Sequence, residues 1–158
     1  MESVDAPAAQ RGRRLNEEAV LDSDTLSELS RGNRKVLARA RAYLERHGRL
    51  TLTAVSVFER VRGYHVAIAA GRPFEGHLRD FQALASASRV LPLDRAAGDL
   101  AGRIWAALSP RRRRAVGDIL IAAIAAANGQ PLVTRNRGDF GPIAALPFVD
   151  LPLSDWSR

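Results

Sequence analysis

The chain contains no cysteine. That excludes a disulfide framework and any Cys-ligated zinc site. It has no apolar run near the roughly 18 residues that a membrane-crossing helix needs. Residues 1–18 are polar and charged, without the apolar centre of a secretory signal. These absences set the expectation of a cytoplasmic protein with no membrane association. Lysine is almost missing, with Lys35 alone, and the three histidines, His47, His65 and His77, fall at no spacing that suits a ligand set or a catalytic triad. Aromatic residues make up only 6%.

What is present is a chain of 158 residues, 46% of them apolar, enough for one domain with a real core. The net charge of +7 is carried almost wholly by arginine. Arginine offers planar forks for phosphate oxygens, so the balance is compatible with a polyanionic partner. It is equally compatible with a genome that favours arginine codons.

Met1 to Glu18, with Pro7, Gly12 and mixed charges, reads as a disordered leader. Residues 19–158 read as a single domain. Ala19-Val20-Leu21 is an apolar run suited to a buried strand. Asp24 to Ser30 follows as a short helix, with Thr25 to Glu28 fitting a capping box. Arg34 to Arg46 is an amphipathic helix presenting Val36, Leu37, Ala40 and Leu44 on one face. Leu50 to Thr53 is a second strand. Ser56 opens a helix to about Ala70, with Ser56 to Glu59 as its own capping box. Phe74 to Ala87 is another helix. Arg89 to Leu93 is a third strand, and Asp94 caps a helix to about Leu108. After the basic loop Ser109 to Arg114, Asp118 begins a buried helix ending at Asn128-Gly129. Pro131 to Thr134 is a fourth strand, and Phe148-Val149 a short edge strand after a break at Gly141-Pro142. Strands alternating with helices imply crossover connections and a three-layer α/β/α fold on a mainly parallel sheet of four to five strands.

In such sheets, sites form at the carboxyl ends of the strands. Asp22 and Asp24 follow the first strand, Glu59 lies in the first turn after the second, Asp94 and Asp99 follow the third, and Asp139 follows the fourth. Asp118 opens the helix that leads into the fourth strand. Carboxylates gathered on one edge repel one another unless protons or cations compensate. A divalent ion is the usual solution, and hard oxygen ligands select Mg²⁺ or Mn²⁺. Such ions suit phosphodiester hydrolysis, because they acidify water and stabilise charge on the phosphate. Each acid also has a structural reading. Asp22 and Asp139 suit turns, Asp24 and Asp94 suit N-caps, Glu59 completes a capping box, and Asp118 suits the positive end of a helix.

Four motifs in order resemble the PIN-domain ribonucleases, in particular the VapC-type toxins of toxin–antitoxin pairs. They are Leu21-Asp22-Ser23-Asp24-Thr25-Leu26-Ser27-Glu28-Leu29, Val55-Ser56-Val57-Phe58-Glu59, Asp118-Ile119-Leu120-Ile121-Ala122-Ala123 and Thr134-Arg135-Asn136-Arg137-Gly138-Asp139-Phe140. The resemblance spans Ala19 to Leu153. It implies metal-binding, catalytic acids at Asp22, Glu59 and Asp118. It implies a fourth position in the last motif, at Asn136 or Asp139, of which only Asp139 is an acid here. Asp24 stands where the family usually has Asn, and Ser109 to Arg114 replaces a glycine-containing lead into the third acid. Asp24, Thr134, Asn136, Arg112 and Arg113 are the candidate substrate-binding residues, the two arginines as contacts to an RNA backbone. The same arginine run also reads as a solvated loop.

The resemblance further implies a toxin endoribonuclease dependent on Mg²⁺ or Mn²⁺, an antitoxin partner whose tail blocks the acidic site, and a homodimer. Two other readings compete with it: a catalytically silent module that binds RNA or protein, and a metal-dependent nuclease acting on DNA.

Overall fold

The computed structural model describes residues 17–158. The expectation of a disordered leader therefore lies outside the described residues, apart from Glu17 and Glu18. Glu18 already belongs to the fold, its carboxylate pairing with Arg89 at 3.1 Å.

β1 (Val20–Leu21) leads into α1 (Ser23–Ser30) and α2 (Arg34–His47). β2 (Thr51–Thr53) is followed by α3 (Ala54–Ala69) and α4 (Glu75–Ser86), and β3 (Arg89–Leu91) by α5 (Arg95–Ala107). A 3-10 turn (Arg112–Arg114) precedes α6 (Val116–Ala127), β4 (Leu132–Val133), α7 (Arg137–Ala144) and β5 (Leu153–Ser154). The strands form one sheet in the order β3-β2-β1-β4-β5, parallel at every pairing.

Side chains alternate across a strand, and here the alternation divides two cores. Val20 and Leu132 face one side, where they pack with Ile104 of α5, Ile119, Ile121 and Ile124 of α6, and Phe140 of α7. Leu21 and Val133 face the other, with Leu26 of α1, Val36 of α2 and Phe81 of α4. This is the expected three-layer arrangement. α6 is buried along most of its length, which explains its near-continuous apolar sequence.

Several element-level expectations change. The cap of α1 is Asp22, not Thr25: its carboxylate accepts the Thr25 N–H at 2.7 Å. α3 starts two residues before Ser56, because the Thr53 hydroxyl accepts the Ser56 N–H at 3.0 Å. On α2 the buried positions are Val36, Ala40 and Tyr43, while Leu44 is exposed. Tyr43 turns inward because its hydroxyl accepts the Ala19 N–H at 2.9 Å and its ring packs on Trp156. Phe148-Val149 is no strand. Val149 closes a turn by donating to the Leu146 carbonyl, and the edge strand forms instead at Leu153–Ser154 against β4.

Pro142 does not end the last helix either. α7 runs through it. Proline lacks the N–H that would bond the Gly138 carbonyl four residues back. That carbonyl accepts instead from the Arg112 guanidinium at 3.1 Å.

Candidate functional site

The carboxyl edge of β1 carries Asp22, and the residue after β4 is Thr134. Both are buried. The Thr134 hydroxyl donates to Asp22 Oδ2, while Thr25 N–H donates to Oδ1. The Thr25 hydroxyl in turn donates to the Val133 carbonyl at 3.0 Å, tying α1 to the end of β4. Asp22 thus caps a helix while standing at the carboxyl edge of the sheet. Burial pushes its carboxyl pKa up, against the opposing effect of the Thr134 and Thr25 hydrogen bonds.

Glu59 reaches the same edge from α3. Since Thr53 is the cap, the start of α3 makes no demand on Glu59, and the capping-box explanation for it fails. Its Oε1 accepts from the Ser23 hydroxyl at 3.0 Å. Its Oε2 lies over Gly117, so close that a Cβ there would stand 2.7 Å from it. The absence of a side chain at residue 117 is what lets α3 bring its acid against the first turn of α6.

Asp118 sits in that first turn, half-buried. Burial, a hydrogen bond with the Asp139 carboxyl and the negative charges of Asp139, Glu59 and Asp22 push its pKa up to about 7. A group sensing three other carboxylates places all four acids in one electrostatic neighbourhood. Asp139 comes from the first turn of α7, capped by Asn136. The Asn136 amide oxygen accepts the Asp139 N–H at 3.2 Å, and its nitrogen donates to Asp139 Oδ2 at 2.9 Å. Asn136 therefore holds the Asp139 carboxylate in place.

The converging donors are carboxylate oxygens, the type that hard divalent cations prefer. Glu59, Asp22 and Asp139 are each held by a neighbouring donor. Among the described residues no three acids stand close enough together to form a closed ligand cage. The four acids share one electrostatic neighbourhood without forming a closed ligand set.

The remaining candidates are placed as follows. Asp24 is engaged by Arg135 in a two-pronged ion pair at 2.9 and 3.0 Å. Arg135 also reaches Glu28 at 3.3 Å. The Glu28 pKa is held down, first by the Asn33 hydrogen bond and also by Arg135 and Arg31. Arg112 donates to Gly138, and Arg113 to the Trp105 and Ala106 carbonyls at 3.0 and 3.1 Å, covering the end of α5 and lying over the Trp105 ring. Both arginines bend back onto the protein. Asp94 caps α5 through the Ala97 N–H, and Asp99 is exposed on the same helix.

Beside the acids lies a cleft of about 660 Å³ that includes Phe58, Glu59, Arg62, Arg114, Val116 and Asp118. Phe58 is 60% and Val116 50% exposed. Sequence reasoning missed Ser23, Gly117 and Arg135. Ser23 and Gly117 each adjoin a motif acid, and Arg135 lies inside the last motif, but their partners are distant in sequence.

The profile of the PIN domain family matches residues 19–145. No curated protein sequence matches significantly. Among solved structures, VapBC-1 of nontypeable Haemophilus influenzae superposes with a TM-score of 0.68 at 21% identity, covering 90% of this chain and 100% of that one. The DNA-bound VapBC of Salmonella typhimurium gives 0.67 at 20% identity, over 88% and 98%. VapBC-5 of Mycobacterium tuberculosis, described as a member of a family of toxin–antitoxin systems, gives 0.55 at 21%, over 87% and 98%. At these identities the likeness is one of fold.

Proposed function

The chain belongs to the PIN-domain family, and from that premise we propose that it is the toxin of a toxin–antitoxin pair, an endoribonuclease dependent on Mg²⁺ or Mn²⁺. The observation that carries the reading is the gathering of Asp22, Glu59, Asp118 and Asp139 on one edge, where burial first and then the three other acids push the Asp118 pKa up to about 7.

Asp22, Glu59, Asp118 and Asp139 would hold the cation. When bound, it would acidify water and stabilise the charge that develops on the phosphate. Thr134 and Thr25 fix the rotamer of Asp22, Ser23 that of Glu59, and Asn136 that of Asp139. Arg62 and Arg114, at the cleft beside Glu59 and Asp118, are suited to the backbone of a bound strand. Arg112 and Arg113 keep further donors that a strand can use, since each guanidinium carries five. Asp24 acts through its pair with Arg135, and Thr134 through Asp22.

Two surfaces support partners. Exposed Phe58, Val116 and Leu93 beside the acids form an apolar margin that an antitoxin segment would cover. α3 has Ser56 as its only buried residue despite an apolar composition, and exposes Val66 as well as Phe58. That favours a homodimer through this helix. No helix among the described residues is long and apolar enough to cross a membrane.

Incubation with single-stranded RNA and Mn²⁺ tests the reading. The chain should cut RNA, and either Asp118→Asn or chelator should abolish the cut. Undiminished cleavage in either case sinks the proposal, and preference for a DNA strand redirects it to a DNA nuclease. The open spacing of the acids favours a second reading, a module that binds RNA without cutting it. Binding indifferent to Asp22→Asn, with no metal-dependent product, would select that one.

A further inference from the structure

Pro142 lies at the sixth residue of α7, inside the helix. A proline there leaves the Gly138 carbonyl without its usual amide donor, and its ring pushes that carbonyl outward. The flanking bonds of the helix are regular, with Phe140 N–H to the Asn136 carbonyl at 3.1 Å and Ala145 N–H to Gly141 at 3.0 Å. The orphaned carbonyl meets the Arg112 guanidinium at 3.1 Å.

Arg112 is well placed to link two elements. Its own N–H bonds the Ser109 carbonyl, and its carbonyl accepts the N–H of Ala115, the residue from which α6 starts. The backbone of Arg112 therefore belongs to the entry of the helix that carries Asp118. Its side chain ends on Gly138, directly before Asp139. The Asp118 and Asp139 carboxyls act on each other electrostatically. We propose that Arg112 is a positioning residue: by replacing the donor that Pro142 removes, it fixes α7 against the start of α6 and so sets the Asp139–Asp118 separation. The proposal rests on the metal-dependent reading of the site. It gives Arg112 a role distinct from contact with nucleic acid.

The interplay with Pro142 makes the test specific. In Arg112→Ala the Gly138 carbonyl loses its partner, and α7 gains freedom to shift. Pro142→Ala supplies the missing N–H within α7 but restores no link to α6, so it separates loss of the carbonyl's partner from loss of the tie. Calorimetric titration of the full chain with Mn²⁺ should show about fivefold weaker binding in Arg112→Ala. That is below the roughly 10- to 100-fold expected when a group bonded to a ligand itself is lost. Arg112→Lys should recover most of the affinity, and Arg112→Ala combined with Pro142→Ala should stay about as weak as Arg112→Ala alone. Melting temperatures in chelator of wild type, the two alanine variants and their combination should be non-additive, because Pro142→Ala gives the Gly138 carbonyl the partner that Arg112→Ala removes.

Recovery of Mn²⁺ affinity in Arg112→Ala combined with Pro142→Ala would overturn the proposal, because the unpaired carbonyl and not the tie would then be what matters. So would a lower melting temperature with unchanged Mn²⁺ affinity, which assigns Arg112 to stability alone. A wild-type chain that binds no Mn²⁺ refutes the metal-dependent reading and this inference with it. Wild-type binding that Arg112→Ala leaves intact refutes only the inference.

Discussion

Gly117 and Glu59 are a contact between two helices in which one partner has no side chain. A methyl group at residue 117 would lie 2.7 Å from Glu59 Oε2. The obstructing atom is the end of a flexible side chain, so the helix can accept alanine and the carboxylate must move. Alanine is the better helix former by up to about 1 kcal/mol. Gly117→Ala should therefore leave the melting temperature unchanged or higher while RNA cleavage falls at least about tenfold. Full cleavage would remove Glu59 from the reaction. Asp118 offers a second test at this scale. Its pKa is up to about 7 in the folded chain against an ordinary 3.8, with burial the first cause. Between those values the folded chain holds a proton that the unfolded chain has released. Unfolding releases that proton, so the stability of metal-free protein should fall as pH rises from about 4 to about 7, then level off. Asp118→Asn has no such titration. In chelator its melting temperature should vary less over this window and exceed that of wild type at pH 8. Parallel curves for the two proteins would mean that the Asp118 carboxyl is not raised in the folded chain.

Helix starts decide what the acids are free to do. Asp22, Thr53, Asp94 and Asn136 are the side-chain caps of α1, α3, α5 and α7. Asp94 was legible as a cap because it stands directly between a strand and a periodic helix. Thr53 was not, because Ser56 and Glu59 imitate a capping box three residues later. Three residues shift Glu59 from the first turn to the second, and a structural acid becomes one available to the site. Asp22 shows that the two roles need not exclude each other. One oxygen caps α1 while the carboxyl group stays at the sheet edge beside Thr134. Pro142 misled in the opposite direction. Proline usually ends a helix, yet here the carbonyl it leaves unpaired has a partner 26 positions away in the chain.

For the whole molecule, the excess of positive charge and the four acids work at different ranges. The net charge of +7 raises the local concentration of a polyanion. The acids would repel its phosphates unless a cation lies between them. Binding of single-stranded RNA by an uncleaving Asp118→Asn chain should therefore weaken steeply with salt. The logarithm of the affinity falls by about 0.7 per phosphate contact for each unit of log salt. Arg114→Gln should reduce that slope by about 0.7, if the strand crosses the cleft beside Val116. An unchanged slope would locate the strand on another face.

The parallel sheet, the three layers and the four acidic motifs were all legible in the sequence, because apolar periodicity and the order of elements are local properties. The strand ends by themselves gathered Asp24, Asp94 and Asp99 with Asp22, Glu59, Asp118 and Asp139, and only the resemblance to the PIN-domain motifs singled out the last four. The tertiary structure alone decided what each acid touches. Ser23 meets Glu59, Gly117 lies beneath it, Arg135 pairs with Asp24 and Arg112 reaches Gly138. These partners stand from 26 to 111 positions apart in the chain. No local pattern encodes such pairs. They arise when packed helices bring their first turns to the same edge, and there an acid's partners depend on which side chains, or which missing ones, the neighbouring helix presents.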